Sequence, residues 1–365
     1  INDHHSNLAQ LSQSLKFNGK DTTAEIGGFA RVKTAYDQMA GKPNLLKLHA
    51  GDALSGTLYY TLFKGEADAA MMNTVCFDAM AVGNHEFDEG DERLKSFITT
   101  LQAGSCKTPV LSANVTPKVG TPLAPTKSDD YIKPYSIKDF NGQKVGIVGL
   151  TVKGKTQGSS SPLPTTAFED EVTAAQKAID ALKAQGVKRI VLLSHVGYSM
   201  DKSIAAKLTD VDVIVGGDSH TLLGDFSAYG ISSSSGSYPT MAKNKDGDHV
   251  CIAQAWEYAK AMGELTVNFN AFGSVDSCSG KTHLLLGEKF TKAADKTVTL
   301  AGADLDEVKA IIAKDAQLWS LKPNASAEAV LKSYADKVDA LKKEVIGTAS
   351  ELLCLERIPG GGTSK

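Results

Sequence analysis

The sequence predicts an α/β fold, and three observations support that prediction. From Leu45 onward, short apolar stretches alternate with stretches whose apolar residues recur at helical spacing. The apolar stretches lack polar alternation, which is typical of strands that are buried on both faces. Most of them end in a His, Asp or Asn beside a small residue, which indicates that the strand ends border a ligand-binding crevice.

The predicted strands and helices follow one another in a regular order. Strands are expected at residues 45–48, 79–82, 110–113, 145–150, 190–194 and 211–215. Residues 64–75, with Ala and Met at helical spacing, and residues 169–185 predict helices between them. Farther on, residues 249–258 and 263–272 predict an antiparallel hairpin that completes a sheet. The charged segment 304–346, rich in Ala, Lys and Leu, predicts helix.

Composition and charge exclude two classes of partner. The formal net charge is -3 and the Lys and Arg residues are scattered, so we expect no surface for a nucleic acid polymer or an anionic membrane. No apolar stretch approaches the ~20 residues that a membrane helix needs, so no transmembrane segment is expected.

The five cysteines bear on the cellular compartment. Cys76 and Cys106 each precede a predicted strand, and they would lie at the same end of the sheet if those strands are parallel neighbours. Cys251 and Cys278 flank the predicted hairpin and form a second candidate pair, which leaves Cys354 over. Two disulfides favour an oxidising compartment, so the protein is expected to be periplasmic, secreted or on the cell surface. Free buried cysteines are the alternative.

Side chains of metal-binding types recur where the predicted strands end. Asp3 and His5 are two residues apart, which on an extended strand places both side chains on one face. Strand ends along one edge of an α/β sheet meet at one crevice, so these side chains are expected to surround a shared centre. The candidates are Asp3, His5, Asp52, Asn84, His85, Asp88, His195, Asp218 and His220.

The chemistry of this set predicts a site for two divalent metal ions. It offers carboxylate, imidazole and amide ligands but no thiolate, which suits Zn²⁺, Mn²⁺, Mg²⁺, Fe or Co. Seven ligands that share one carboxylate match the needs of two ions about 3.5–4 Å apart.

No single motif in the set is specific for a metal. The pair Gly51-Asp52 is a common junction between a strand and a loop, and a lone histidine such as His195 is more often a hydrogen-bonded core residue. The whole set, in this order and at strand ends, favours the metal site. The remaining histidines are expected to be ordinary structural or surface residues; they are His4, His49, His249 and His283.

The motifs resemble those of a known enzyme family. The metallophosphoesterase (calcineurin-like) motifs of the 5'-nucleotidase family are similar to Asp3-x-His5, Gly51-Asp52, Gly83-Asn84-His85-Glu86-Phe87-Asp88, Ser194-His195 and Gly216-Gly217-Asp218-Ser219-His220. The similarity spans about residues 1–280 in order. It implies a two-sheet αββα sandwich followed by a C-terminal helical connector.

The resemblance also implies a role for each candidate. The first metal ion would be held by Asp3, His5, Asp52 and His220, and the second by Asp52, Asn84, His195 and Asp218, with Asp52 bridging. His85 would donate to the phosphate and stabilise the transition state, oriented by Asp88, whereas Glu86 is expected to be structural. The sequence departs from the usual family pattern at Asp218, where histidine is common; a subgroup resembling bacterial NAD nucleotidases shares this aspartate.

The resemblance implies a division of the chain into three parts. Residues 1–285 are predicted to form the catalytic domain, residues 286–350 a helical connector, and residues 351–365 the start of a C-terminal domain. In the family that further domain supplies recognition of the base and the phosphate. The chain opens at Ile1-Asn2-Asp3, inside the first motif, so a leader and the rest of a first strand are expected upstream.

The implied function is dinuclear metal-dependent hydrolysis of phosphate esters. The expected substrates are small 5'-nucleotides, which would yield nucleosides and phosphate, with NAD and nucleotide sugars as further candidates. One alternative is another two-metal hydrolase on this scaffold, such as a 2',3'-cyclic phosphodiesterase or a thiosulfate-ester hydrolase. A non-enzymatic binding module is the other alternative, and the complete set of competent ligands argues against it.

Overall fold

Strands and helices alternate through most of the chain, as predicted. The computed structural model describes residues 1–344. Within them the strands are β1 (Leu11–Phe17), β2 (Lys20–Ile26), β3 (Leu48–His49), β4 (Ala79–Ala81), β5 (Val110–Leu111), β6 (Val115–Pro117), β7 (Tyr135–Phe140), β8 (Gln143–Thr151), β9 (Thr166–Phe168), β10 (Arg189–His195), β11 (Val213–Gly216), β12 (Thr240–Lys243), β13 (His249–Gln254), β14 (Ala261–Phe269), β15 (Val275–Lys292) and β16 (Leu318–Ser320). The helices are α1 (Phe29–Met39), α2 (Leu58–Phe63), α3 (Glu66–Val75), α4 (Gly90–Ala103), α5 (Lys153–Ser159), α6 (Glu171–Ala184), α7 (Tyr198–Ala205), α8 (Gly302–Lys314) and α9 (Ala325–Lys342).

Two β-layers pack face to face between two layers of helices. The first layer is a six-stranded sheet in the order β12-β13-β11-β10-β8-β7. The second layer contains the parallel strands β3-β4-β5 and a sheet in the order β1-β2-β15-β14, to which β16 adds beside β15. Helices α6 and α7 cover the first layer, and α1, α3, α4 and α9 cover the second. The αββα sandwich is therefore confirmed.

Apolar residues facing both ways bury the central strands on both faces. In β10, Ile190 and Leu192 pack toward the helices α6 and α7, while Val191 and Leu193 pack against the second β-layer. This follows from the two-residue period of a strand, which sends successive side chains to opposite faces. The carboxyl ends of these strands are thereby fixed between the layers, where the candidate site lies.

The predicted hairpin of residues 249–258 and 263–272 is wrong. β13 pairs with β11 and β12 in the first layer, whereas β14 pairs with β15 in the second. Between them the chain crosses from one layer to the other through Trp256, Tyr258 and Ala259, whose φ angles are 62°, 54° and 55°. The apolar pattern of two neighbouring strands is the same whether they pair in one sheet or face each other across layers.

The predicted helical segment 304–346 is interrupted by a strand. Between α8 and α9, Leu318 is buried and β16 pairs in parallel with β15, which itself continues beyond residue 285 to Lys292. The segment 286–350 that we predicted as a helical connector therefore also contributes strands to the second layer. The proposed domain boundaries stay a prediction, and residues 345–365, including Cys354 and the predicted start of a further domain, lie outside the described residues.

Both predicted disulfides are present. Cys76 and Cys106 are joined across a Cα–Cα distance of 5.0 Å, beside the parallel neighbours β4 and β5, as expected. Cys251 and Cys278 are joined across 6.4 Å, but they connect β13 to β15 and so link the two β-layers rather than one hairpin. Among residues 1–344, no helix combines the length and the apolar character that crossing a membrane requires.

Candidate metal centre

The candidate ligands converge on one crevice at the carboxyl ends of the parallel strands. Asp52 follows β3, Asn84 follows β4, His195 ends β10 and Asp218 follows β11. Three groups of these side chains offer ligand atoms that lie within 4.8 Å of one another. The groups are Asp3 with His5 and His220, Asp3 with Asp52 and His195, and His5 with Asp52 and His85.

The first motif does not form the extended strand that we expected. Asp3 and His5 have φ angles of 48° and 46°, and their backbone N–H groups donate to the carbonyls of Gly51 and Asp52 at 2.9 and 3.1 Å. Docking on the loop after β3 therefore decides their conformation. Their side chains still reach the same crevice, because both belong to one of the ligand groups.

Left-handed backbone is shared by five of the candidates, with φ angles from 46° to 71°. They are Asp3, His5, Asp52, Asp218 and His220. Asp and His adopt this region more readily than most residues, yet each such residue typically costs about 1–3 kcal/mol. Strain of this kind is retained where the surrounding structure imposes it, and it clusters at functional sites.

Two glycines allow the backbone to approach the ligands closely. A Cβ atom on Gly83 would lie 2.2 Å from Asp52 Oδ1, and one on Gly217 would lie 2.5 Å from the Ala50 carbonyl oxygen and 2.7 Å from His195 Nδ1. Since real Cβ atoms do not approach other heavy atoms so closely, any side chain at either position would displace a candidate ligand.

The candidate ligand histidines are arranged so that their lone pairs face other atoms that carry lone pairs. His195 Nδ1 donates to the Ala50 carbonyl at 2.7 Å, which leaves Nε2 of the neutral ring as a lone pair. That Nε2 lies 3.1 Å from Asp52 Oδ2. Two electron-pair donors at this separation repel each other unless a proton or a cation lies between them.

The same situation recurs on the other side of the crevice. His5 Nδ1 donates to the Leu54 carbonyl at 3.2 Å, and His220 Nδ1 donates to Glu257 at 2.9 Å. The two Nε2 atoms then face each other at 3.1 Å, and His220 Nε2 lies 3.3 Å from Asp3 Oδ1. The crevice therefore needs positive charge at two places.

The pKa values of the site report the same need. Burial lowers the pKa of His195, but the nearby Asp52 and Asp3 carboxylates outweigh burial and raise it well above its usual value. For His220 as well, burial lowers the pKa, while hydrogen bonds with Asp3 and Glu257 raise it to about 9. Divalent cations would supply the positive charge that these carboxylates favour.

The donor set fits divalent metal ions. Asn84 Oδ1 and His195 Nε2 are buried and accept no hydrogen bond from any residue of 1–344. Buried polar atoms without a partner are rare, and each calls for an explanation such as a bound ion. Carboxylate, imidazole and amide donors are the types that Zn²⁺, Mn²⁺, Fe and Mg²⁺ share.

His85 and Asp88 form a hydrogen-bonded pair at the rim of the crevice. His85 Nδ1 donates to Asp88 Oδ2 at 2.6 Å, and this bond raises the pKa of His85. Ser55 and Ser160 also donate to Asp88, at 2.7 and 2.9 Å. His85 Nε2 is thereby available on a half-exposed ring, although the same ring also belongs to a ligand group with His5 and Asp52.

Several supporting residues escaped the sequence analysis. Glu257 orients His220, Ser160 holds Asp88, and Lys155 lies 2.5 Å from Asp218 Oδ1. None of them belongs to a motif, and Glu257 lies in the wrongly assigned hairpin. Glu86 is structural, as expected, since its buried carboxylate accepts backbone N–H groups from both ligand loops.

The four remaining histidines, predicted to be structural or surface residues, belong to none of the ligand groups found among residues 1–344. His249 lies on the surface, and His283 donates to the Ala316 carbonyl at 2.7 Å and stacks on Trp319. His4 and His49 are completely buried and hydrogen-bonded to each other.

Comparisons with known proteins place the chain in a family. The family model described as calcineurin-like phosphoesterase matches residues 1–222. The chain belongs to the calcineurin-like phosphoesterase family. Within that family its relatives are 5'-nucleotidases, which confirms the resemblance drawn from the motifs, and the family implies divalent metal ions at the site.

Two curated relatives and one solved structure illustrate the similarity. The NAD 5'-nucleotidase of Haemophilus influenzae is 36% identical over 385 residues, covering 100% of this chain and 59% of the relative. The 5'-nucleotidase of Rattus norvegicus is 42% identical over 286 residues, covering 78% of this chain and 48% of the relative. The structure of Haemophilus influenzae NAD nucleotidase superimposes with a TM-score of 0.87 at 36% identity, covering 95% of this chain and 68% of that one. The chain thus spans roughly half to three fifths of these curated relatives.

Proposed function

We propose that this chain carries the catalytic metal centre of a phosphoesterase that hydrolyses 5'-nucleotides to nucleosides and phosphate. The proposal depends on two close contacts between atoms that both carry lone pairs. His195 Nε2 faces Asp52 Oδ2, and His5 Nε2 faces His220 Nε2. Asp52 lies between the two places, 3.6 Å from His5 Nε2 as well as 3.1 Å from His195 Nε2. We therefore propose two ions bridged by Asp52.

The proposed ligands follow from the two places that need positive charge. One ion would be held by Asp3, His5, Asp52 and His220, and the other by Asp52, Asn84, His195 and Asp218. When bound, such ions polarise phosphoryl oxygens and generate a nucleophile from water.

The protein's own groups would act on the substrate around the ions. His85, its Nδ1–H held by Asp88, would present Nε2–H to an equatorial phosphoryl oxygen and meet the charge that develops there. The Asp88 carboxylate would stabilise the charged ring, and Ser55 and Ser160 would hold that carboxylate in place.

The experiment for this proposal is metal analysis combined with hydrolysis. We expect two divalent ions per chain after saturation and phosphate release that stops on chelation and returns with added metal. One ion or fewer per saturated chain would contradict the bridged pair. Release of phosphate that survives complete metal removal would contradict the proposed chemistry.

Asp218 is expected to favour harder ions at the second of the two proposed metal positions. Its carboxylate lies 3.9 Å from His195 Nε2 and forms an ion pair with Lys155. Oxygen donors favour Mn²⁺ and Mg²⁺ relative to imidazole. The Asp218→His variant is expected to raise the preference for Zn²⁺, measured as the order in which added metals activate the apoprotein.

A matched control for Asp218 removes the ion pair without supplying an imidazole. The Lys155→Met variant is expected to keep the original activation order. An unchanged order in Asp218→His would contradict the assignment of Asp218 as a ligand that selects the metal.

We propose an oxidising compartment, periplasmic, secreted or cell-surface, for the protein. The two disulfides support it, since such bonds persist in oxidising compartments and are rare in the cytosol. Fractionation of the native host, with the redox state of Cys76 and Cys251 read by thiol labelling, tests it.

A further inference from the structure

Two completely buried histidines, His4 and His49, connect helix α3 to the loops that carry the proposed ligands. His4 Nε2 lies 3.1 Å from Asp68 Oδ1, and His4 Nδ1 lies 2.9 Å from His49 Nε2. His49 Nδ1 in turn lies 3.2 Å from the backbone nitrogen of Gly51. Asp68, His4 and His49 are each 0% exposed, so water does not compete for these bonds.

The backbone amide of Gly51 fixes the direction of all three hydrogen bonds in this series. The Gly51 N–H can only donate, so His49 Nδ1 is an acceptor and the ring proton lies on Nε2. His49 Nε2–H then donates to His4 Nδ1, and His4 Nε2–H donates to the Asp68 carboxylate. A single tautomer, neutral with the proton on Nε2, therefore satisfies both rings and all three bonds.

Both rings pack against aromatic side chains in the interior. His4 packs edge-on against Phe29 and His49 against Phe77, with ring centroids 5.0 and 5.4 Å apart. Neither ring belongs to a ligand group of the crevice, so the hydrogen bonds to the backbone are the contacts through which they reach the ligand loops.

The chain of bonds ends in the two segments that supply three of the proposed ligands. His4 stands between Asp3 and His5, and the Gly51 amide directly precedes Asp52. The Asp3 N–H also donates to the Gly51 carbonyl at 2.9 Å. The amide of Gly51 is thus held by His49 and its carbonyl by Asp3.

We propose that the Asp68–His4–His49 chain is a positioning device that sets the placement of Asp3, His5 and Asp52 for metal binding; this inference rests on the metal centre proposed above. Removing one member would leave its neighbour's N–H without an acceptor in a fully buried position, and that group could recover a partner only if the attached loops moved. Ligands bind a metal well only when they are held within about 0.5 Å of the productive geometry.

The test compares two substitutions of Asp68 in the full chain. Asp68→Ala removes the terminal acceptor and is expected to raise the Mn²⁺ dissociation constant by ~10–100-fold. A loss of this size is typical when a group that orients metal ligands is removed. Asp68→Asn keeps an oxygen that accepts the His4 Nε2–H, and its dissociation constant is expected to stay within about threefold of the unaltered chain. The probe is Mn²⁺ alone, titrated by calorimetry, so no turnover is needed.

A matched control separates positioning from general stability. Asp212 is 5% exposed and accepts the Ile190 N–H at 2.7 Å, at the end of β11 opposite to Asp218. Asp212→Ala is expected to lower the melting temperature without changing the Mn²⁺ dissociation constant. If Asp68→Ala behaves in the same way, or if Asp68→Asn binds Mn²⁺ as weakly as Asp68→Ala, the positioning proposal is wrong.

Two further measurements keep the proposal testable if Asp68→Ala does not fold. His4→Leu removes the middle member of the hydrogen-bonded series while filling its space. It is expected to weaken Mn²⁺ binding as much as Asp68→Ala does. Nitrogen-15 NMR of the histidines in the unaltered chain is expected to show the Nε2–H tautomer for both His4 and His49. An Nδ1–H tautomer at His49 would contradict the proposed direction of these hydrogen bonds.

The outcomes also separate this inference from the proposed function. If the unaltered chain binds no Mn²⁺, the metal centre itself is wrong. If it binds Mn²⁺ and both Asp68→Ala and His4→Leu bind equally well, only the positioning role fails.

Discussion

The proposed ligand histidines are oriented through the nitrogen that does not face the crevice. His195 and His5 donate Nδ1–H to backbone carbonyls, whereas His220 donates to the Glu257 carboxylate. A partner of this kind fixes the tautomer and aims the other nitrogen. His85 differs in position, since its side chain lies at the rim and is the most exposed of these four, so a role in contact with substrate is expected of it.

We predict that His85→Ala lowers kcat by ~10²–10³-fold, because the loss of one transition-state donor typically has this effect. The bound metal content is expected to stay unchanged. The measurement is kcat at saturating metal, together with metal analysis of the purified variant.

The control for His85 is Asp88→Asn, which keeps the ring but weakens its orientation, and a smaller loss of kcat is expected. If His85→Ala lost an ion, His85 would be a ligand together with His5 and Asp52, and the assigned roles would have to change.

At the scale of elements, one carboxylate ties the two central ligand loops together. Glu86 Oε1 accepts the N–H groups of Ala53 and Leu54, and Oε2 accepts those of Asp52 and Gly83, at 2.6 to 3.1 Å. The loop after β3 and the loop after β4 are thereby fixed to each other. Burial and the nearby Asp52 raise the pKa of Glu86 to about 7, against the backbone bonds, which lower it.

We predict that Glu86→Ala lowers the free energy of unfolding by at least about 3 kcal/mol. Four buried N–H groups lose their acceptor, and each such loss typically costs about 1–3 kcal/mol. Urea unfolding followed by circular dichroism measures the change.

Glu86→Gln provides the matched comparison, because its single carbonyl oxygen can accept only two of the four N–H groups. About half of the destabilisation is expected. Equal stability of Glu86→Ala and the unaltered chain would show that water replaces the carboxylate.

At the scale of the whole molecule, the site depends on the position of two β-layers relative to each other. Asp218 belongs to the first layer and Asp52 to the second, and the Cys251–Cys278 disulfide links these layers. The sequence separation of this disulfide is 27 residues.

We predict that replacing both Cys251 and Cys278 by serine lowers the free energy of unfolding by about 3–4 kcal/mol. The value follows from the conformational entropy that a loop of this length regains in the unfolded chain. Guanidinium unfolding under oxidising conditions measures it.

The control for the disulfide is the same comparison under a strong reductant, where the difference between the two proteins is expected to disappear. A difference that persisted would show that the serines, rather than the missing bond, destabilise the protein.

We predict that residues 1–365 hydrolyse p-nitrophenyl phosphate slowly and act weakly on nucleotides, with little dependence on the base. The curated relatives extend well beyond the matched region. Tyr59 and Tyr60 in α2 are buried, at 7% and 8% exposure, so they do not offer a face to a base.

The measurement compares this chain with a version extended at its C-terminus, using AMP, NAD and p-nitrophenyl phosphate. Equal kcat/KM for the nucleotides in both would place base recognition within residues 1–365 and contradict the prediction. A gain confined to AMP and NAD in the longer version is the expected result.

The sequence by itself determined the kinds of proposed ligand and their places at strand ends. Asp52, His195 and Asp218 could be found because a buried strand and the polar residue that follows it are adjacent in the chain. The disulfide between Cys76 and Cys106 was also accessible, since it depends only on two neighbouring parallel strands.

Only the tertiary structure decided which strands pair and what supports each ligand. β13 and β14 lie in different layers, because pairing depends on long-range partners that the apolar pattern does not encode. The left-handed backbone of Asp3 is imposed by docking on the loop that contains Gly51. Glu257 and the Ala50 carbonyl meet their histidines over separations of 37 and 145 residues, and contacts over such separations exist only once the chain has folded.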